Sequence, residues 1–268
     1  MASICGSPVC AGGKPKLKFT YTGDYVFRDD GVVELHSSGT LVFLDPAVID
    51  IFCVGGGGAG GLASASGSSV NTECGGGGGG YTATTKKQSV AGSYEVTIGA
   101  GAILGEQSGG ATSFGSLISA KGGLSVTYLG SKYSTVNGAN GGSGGGGGGG
   151  SGGYNGGNGG HGKNDYSGGV GQGATTREFG EEAGKLYAGG GGGGTKGTSS
   201  NPVVAMGGAG GGGTGGWVNT TSSTNQPAEA GVANTGGGGG GGARGQYTNY
   251  YTKPGTGGSG IVCFRLAA

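Results

Sequence analysis

Over the first third of the chain, apolar and polar positions alternate in short runs, a period of two that predicts half-buried β-strands. The runs are 17–27 (LKFTYTGDYVF), 32–36, 40–44 and 48–54, set apart by Asp-Gly, Ser-Gly and Asp-Pro turn signals. Residues 81–90, 93–98 and 112–120 continue the series, and 260–266 (GIVCFRL) adds a strand at the end. That late position predicts a last strand that returns to close the sheet opened by the first ones. Between Lys121 and Ser259 conventional core material almost disappears.

Glycine takes its place. It supplies 80 of 268 residues, against about 7% in an average protein. Collagen would need glycine at every third position and abundant proline; here glycine comes in solid blocks and there are only 6 prolines. A disordered low-complexity chain would be biased throughout, whereas this one switches between glycine blocks and strand-like segments. The blocks occupy 55–61, 75–80, 141–153, 189–194, 207–216 and 236–242, with a few Ala, Ser or Thr interruptions. Polyglycine is poor in helices and packs no side chain in a sheet. The polyproline II conformation suits it: three residues per turn, a rise of about 3.1 Å and no internal hydrogen bonds. Bare backbones in that form pack side by side and satisfy each other's N–H and C=O groups. A side chain inside such a rod is expected to point outward or to sit at an end.

Charge and cysteines narrow the class. Lys+Arg at 15 against Asp+Glu at 14 leaves a formal net charge of +1, with no basic stripe for nucleic acid and no apolar run long enough for membrane insertion. The first residues, MASICGSPVCAGG, lack a basic n-region and an apolar h-region, so no secretory signal is expected. Of 5 cysteines, Cys53 and Cys263 lie in apolar strand-like runs and read as buried reduced thiols. Cys5 and Cys10 could pair or bind metal, but no second Cys or His pair at finger spacing accompanies them.

The order VGGGGAGG, GGGGGGYTATTKKQSV, SYEVTIGAGA, GGATSFGSLISAKGG, further glycine blocks and a terminal GSGIVCFRL resembles the glycine-rich domain of phage and prophage tail proteins, from about residue 17 to 266. More loosely it is similar to the receptor-binding tip adhesins of T-even-like long tail fibres, and to the glycine-rich domain of anaplastic lymphoma kinase receptors. The resemblance implies an all-β fold, a jelly-roll or TNF-like β-sandwich beside a polyglycine II bundle, with essentially no α-helix. It also implies attachment to a bacterial cell-surface receptor, a glycan or an envelope protein. The expected organisation is an N-terminal arm (1–16) that could dock to a tail fibre or baseplate protein, a sandwich (17–120 with 257–268) and a bundle (121–256). The expected place of work is the virion tail, after synthesis in the host cytoplasm.

If each block is one straight rod, connecting loops alternate between the sandwich end and the far end. Residues 62–74, 195–206 and 243–256 then belong at the far end, and 217–235 near the sandwich, with the only tryptophan, Trp217, packed there. The far loop ARGQYTNYYTKPGT offers aromatic area with polar handles in Arg244, Gln246, Tyr247, Asn249, Tyr250 and Tyr251, the chemistry of recognition loops. The same tyrosines could instead cap the open bundle. Residues 154–187, with Tyr166, Phe179 and the charged EFGEEAGK, are long enough to fold their own turn and to form a second recognition or subunit surface, which leaves a homo-oligomer open.

No catalytic chemistry assembles. VIDIFCVGGGGAGG imitates a dinucleotide fingerprint, but LASASGSSV follows where a helix is required. No Gly-Lys is followed by Ser or Thr. His36 and His161 are far apart, Asp29 and Asp30 read as a turn before Gly31, and Lys86 and Lys87 as a solvent edge. Arg244-Gly does not repeat, so an RNA-binding segment has little support. An enzyme, a cofactor and a metal site are not expected. A tail-associated adhesin leads, and a non-binding structural component of a virion or extracellular assembly is the alternative.

Overall fold

The computed structural model describes residues 3–4, 17–62, 72–126, 137–142, 176–197, 204–219, 224–245 and 251–268. Among these the fold is all-β. Its strands are β1 (Ser3–Ile4), β2 (Phe19–Tyr21), β3 (Tyr25–Phe27), β4 (Val33–Leu35), β5 (Gly39–Val54), β6 (Thr72–Glu73), β7 (Thr82–Thr97), β8 (Thr112–Phe114), β9 (Ile118–Ala120), β10 (Thr195–Gly197), β11 (Trp217–Asn219), β12 (Asn225–Gln226), β13 (Ala243–Arg244) and β14 (Ile261–Leu266).

A 9-stranded antiparallel sheet runs β3-β4-β14-β5-β7-β8-β9, with β2 beside β5 and β1 beside β2. The last strand does return: β14 lies between β4 and β5. Where the sequence predicts strand pairs broken by turns, β5 and β7 are continuous 16-residue strands. Their pairing skips between Phe43 and Ala47, and Pro46, which has no N–H to give a ladder, falls in the gap. On the first half of β5, β2 is the neighbour; on the second half it is β14. Leu41 and Phe43 from one half share a buried cluster with Ile49, Ile51 and Cys53 from the other. The long hairpin thus folds over on itself as a sandwich-like core. Phe19, Phe43 and Phe114 each meet Phe264 at ring-centroid distances of 5.6, 5.9 and 6.1 Å.

Alternation along β5 and β14 fills a second cluster on the outer face: Phe52, Val54, Ile261 and Cys263, covered by Phe179, Tyr187 and Ala188. The segment from 176 to 188 folds its own turn, as its length suggested, with a 3-10 element at Glu178–Gly180. It does not present Phe179 and Tyr187 as a second recognition surface, because both rings are buried against the sheet. Residues 143–175, including Tyr166, lie outside the described residues.

The glycine blocks are threefold rods. Gly55, Gly58 and Gly61 donate backbone hydrogen bonds to Tyr81, Gly78 and Gly75 at 3.0, 2.8 and 3.0 Å. Gly57 and Gly60 donate to Gly258 and Gly255, and Gly56 to Gly110. Successive residues turn to successive neighbours and return after three, the period of polyproline II rather than of a strand. Residues 236–242 repeat the pattern: Gly238 and Gly241 donate to Gly189 and Gly192, Gly239 and Gly242 to Gly58 and Gly61, and Gly240 to Glu229. Each of these two rods is surrounded by others, and neither has room for a Cβ at its glycines. A Cβ on Gly57 would sit 1.9 Å from the Gly237 carbonyl oxygen, and one on Gly239 would sit 2.1 Å from that of Gly255.

Ala59 corrects the expectation that side chains inside a rod point outward, since it is buried in mid-rod. It shares a face with Gly56, whose Cβ would strike Ala100. One turn further out the rod that carries Ala100 has ended in the turn where Glu106 N–H bonds Ile103. Ala59 N–H correspondingly donates to the Ser125 hydroxyl rather than to a backbone carbonyl.

Candidate functional site at the far end of the bundle

Register fixes the direction of each rod. Residues 55–61 leave β5 and run away from the sandwich, and 75–80 return into β7. The 236–242 rod is parallel to 55–61, so it also runs outward, and 255–260 return into β14. Two small sheets finish the far end: β6 pairs with β13, and β10 pairs with β11, which pairs with β12.

The predicted loop sits there. Ala243 N–H donates to the Thr252 hydroxyl at 2.8 Å, and Thr252 N–H donates to Ala243 O at 2.8 Å. These bonds close the base of a hairpin, and Arg244 and Tyr251 form the next bridge outward. Arg244 is half-buried beside Thr72, its register partner. The Tyr251 side chain is 52% exposed. Gln246, Tyr247, Asn249 and Tyr250 fall outside the described residues, as do Cys5 and Cys10.

Trp217 is at this end too, which corrects the reading that put it near the sandwich. The block 207–216 is not one rod. Residues 204–208 run inward, the chain reverses at 209–211 with Gly210 and Gly211 at φ +94 and +98, and 212–216 run outward beside 238–241. The return from Trp217 passes Ala228, Glu229 and Gly231, bonded to Lys253, Thr214 and Thr256. It reaches the sandwich at Asn234, whose N–H bonds the Ser259 hydroxyl at 2.9 Å.

Sequence reasoning missed the rest of this end. Glu73 is buried with its Oε1 3.1 Å from Lys196 Nζ. The pair is an ion pair by distance, and among the described residues Oε1 has no hydrogen-bond partner. Trp217 packs with 7% exposure, and among the described residues its indole N–H has no hydrogen-bond partner. No signal in the sequence joins Glu73, Lys196 and Trp217, which come from three separate rods.

A second polar cluster lies under the 176–188 cover. One guanidinium nitrogen of Arg28 bonds both Glu34 (3.1 Å) and Glu178 (2.8 Å), and the other bonds Asp30. Tyr187 donates to Glu178 at 3.0 Å and its hydroxyl lies 3.7 Å from Cys263 Sγ. Glu34, Glu178 and Cys263 bring potential metal-ligating atoms within 4.8 Å of one another. Arg28 already supplies the positive charge there, which makes the group a clamp between cover and sheet. Burial pushes the Tyr187 hydroxyl and the Cys263 thiol well above their ordinary values, and Cys53 up to about 12. None of them is a thiolate or phenolate near neutral pH. Arg265 makes a second clamp, bonding Glu181 and Asp50 and lying over the Phe179 ring at 4.2 Å. Cys53 and Cys263 are buried thiols outside any disulfide, as expected from their places in strands, and Cys74 is buried as well.

No curated protein matches the chain. Among the described residues, rods that bond in threes run from an anchoring sandwich to two small sheets at the opposite end. The chain belongs to the glycine-rich domain family, which matches residues 36–267.

Proposed function

We propose that this protein is a phage or prophage tail-associated adhesin. On this reading it meets a bacterial surface receptor, a glycan or envelope protein, with the loops at the far end of its glycine bundle. The observation that supports it most is the division of labour along the long axis. Rods of almost bare backbone hold one set of loops away from the sandwich, and the hairpin that carries Arg244 and Tyr251 closes on buried Thr252. Tyrosine gives contact area at low cost in conformational entropy. The sandwich end is left to dock on a tail fibre or baseplate protein.

The test is co-sedimentation of purified protein with a panel of bacterial cells, beside a variant carrying Tyr247→Ala, Tyr250→Ala and Tyr251→Ala. The bound fraction is expected to fall at least about tenfold, as for loss of central aromatic anchors, with an unchanged thermal melt. Normal adsorption by the variant would sink the site. Point variants are preferable to deleting the loop, because Ala243 and Thr252 belong to the bundle's closure. The alternative, a non-binding structural component of a virion or extracellular assembly, draws on the exposed side chains of Val26 and Phe27. It predicts self-association with no binding to any cell in the panel.

A further inference from the structure

Charge is divided along the axis of the molecule. The formal net charge is only +1, but the two ends differ. On the sandwich both signs are exposed together, Asp24, Asp29 and Glu95 with Lys86, Lys87 and Lys121. At the far end the described residues carry the cations Lys196 on β10, Arg244 on β13 and Lys253 on the return of the hairpin. β13 lies beside β10 and β11. The carboxylate among them is Glu73, which is buried and paired with Lys196. Glu229 stands further back, level with Gly240, and its carboxylate accepts the Thr214 N–H.

The remaining sequence keeps the same sign. The chain passes out of the described residues and back at 63–71, 127–136, 198–203, 220–223 and 246–250, with both flanks of each at the far end. Those stretches contain Lys132 and no Asp or Glu. Residues 143–175 hold Lys163 and Asp165, one charge of each sign. Even with Asp165 counted here, the end stays cationic. A one-signed surface concentrates ligands of the opposite sign and speeds their encounter. Guanidinium and ammonium groups both bond carboxylate and phosphate oxygens. Tyr251, 52% exposed and two residues from Lys253, adds a ring on which the C–H face of a sugar can stack. Duplex nucleic acid, with a charge every ~1.7 Å, asks for a longer stripe of cations than this.

We propose that the receptor met by this end is an anionic glycan, a polysaccharide whose sugars carry carboxylate or phosphate. Arg244 and Lys253 take its charged groups and the Tyr251 ring a sugar face. The inference rests on the adhesin reading and narrows it. Biolayer interferometry of the full chain over immobilised polygalacturonate, phosphomannan and neutral dextran tests it, and the first two arms separate carboxylate from phosphate. Binding is expected on at least one anionic polymer and not on dextran, and should weaken as salt rises. Lys253→Glu replaces attraction by repulsion and should weaken it at least about fivefold. Lys121→Glu, an equal change of charge at the sandwich end, should leave it alone. Both side chains are exposed, so both variants should melt as the unsubstituted protein does. Equal capture by dextran overturns the inference. So does equal weakening by the two variants, which would mark unspecific attraction of polyanions. Absence of binding to both anionic polymers overturns it too. Co-sedimentation with cells in the same buffers then tells whether the adhesin reading falls with it or stands with a neutral or protein receptor.

Discussion

Gly239→Ala should lower the melting temperature by roughly 10 °C, a loss of about 3 kcal/mol at about 2–4 °C per kcal/mol for a chain of this size. The added Cβ would lie 2.1 Å from the Gly255 carbonyl oxygen, 2.4 Å from its carbon and 2.5 Å from the Thr256 oxygen. Overpacking in an ordinary core is relieved when a neighbouring side chain changes rotamer. Here the neighbours are backbone, held in place by their own bonds to further rods, so relief must spread through the array. The same cost is expected at Gly56, Gly57 and Gly58 alike, because their Cβ positions strike the carbonyls of Ala100, Gly237 and Leu124 at 2.0, 1.9 and 1.9 Å. A two-faced strand with one open side would tolerate the middle substitution or the outer pair. Gly92→Ala is the control: it has nothing within 4 Å and a φ of +74, so only backbone strain of roughly 1 kcal/mol applies. Differential scanning calorimetry decides the matter, and a Gly57→Ala or Gly239→Ala protein that melts like Gly92→Ala would mean that the rods are not packed on all sides.

The sequence announces the rods more clearly than it does their direction. Solid glycine with neither collagen's period nor uniform bias leaves a packed threefold array as the ordered state, and alternation marks most of the strands. Inside a glycine block, though, a reversal leaves no trace, because glycine takes either sign of φ without a change of composition. The turn at Gly210 and Gly211 was invisible for that reason, and the hidden turn moved Trp217 from one end of the molecule to the other. Asp45-Pro46 failed differently. It carries the composition of a turn, yet in a sandwich it serves as the unpaired corner of one long strand. Of the far-end site, Arg244 and Tyr251 were legible because they follow a block whose exit is anchored by the last strand. Glu73, Lys196 and the buried Trp217 were not, because lateral contacts between rods depend on their arrangement in the array.

The Arg28 clamp was equally illegible, since Glu178 lies 150 residues from Arg28 in sequence, and it gives the other large effect. Arg28→Ala leaves Glu34 and Glu178 buried against each other with the Arg28 cation gone. Breaking a buried ionic group from one side costs about 3–5 kcal/mol; with the Arg28 side chain 26% exposed, the low end of that range, about 3 kcal/mol, is expected. Acid response separates this from lost packing. Burial pushes the Glu34 carboxyl up, but His36, Lys185 and Arg28 together outweigh it and hold it below its ordinary value. Asp30 is also held low: burial raises it, but the bonds from Arg28 and from the Val32 N–H, with the Arg28 charge, together outweigh that. A carboxylate depressed in the folded state contributes stability that is fully present above its unfolded pKa, about 4.3 for Glu, and is lost as pH falls through the folded value. The unsubstituted protein should therefore hold its melting temperature down to about pH 4.5 and lose it below. In Arg28→Ala the burial that Arg28 offset raises the Glu34 carboxyl, so its contribution to the acid loss shrinks and the variant's deficit narrows as pH falls. Adding Glu178→Gln to Arg28→Met removes one charge from each side, leaving Glu34 with His36 and Lys185. This pair should recover most of the stability and flatten the acid limb, since a neutral, well-filled replacement of a buried ionic group is often close to isoenergetic. Melting curves from pH 3 to pH 8 give the answer. An Arg28→Ala protein with an unshifted acid limb would mean that water, and not Arg28, satisfies the two carboxylates beneath the cover.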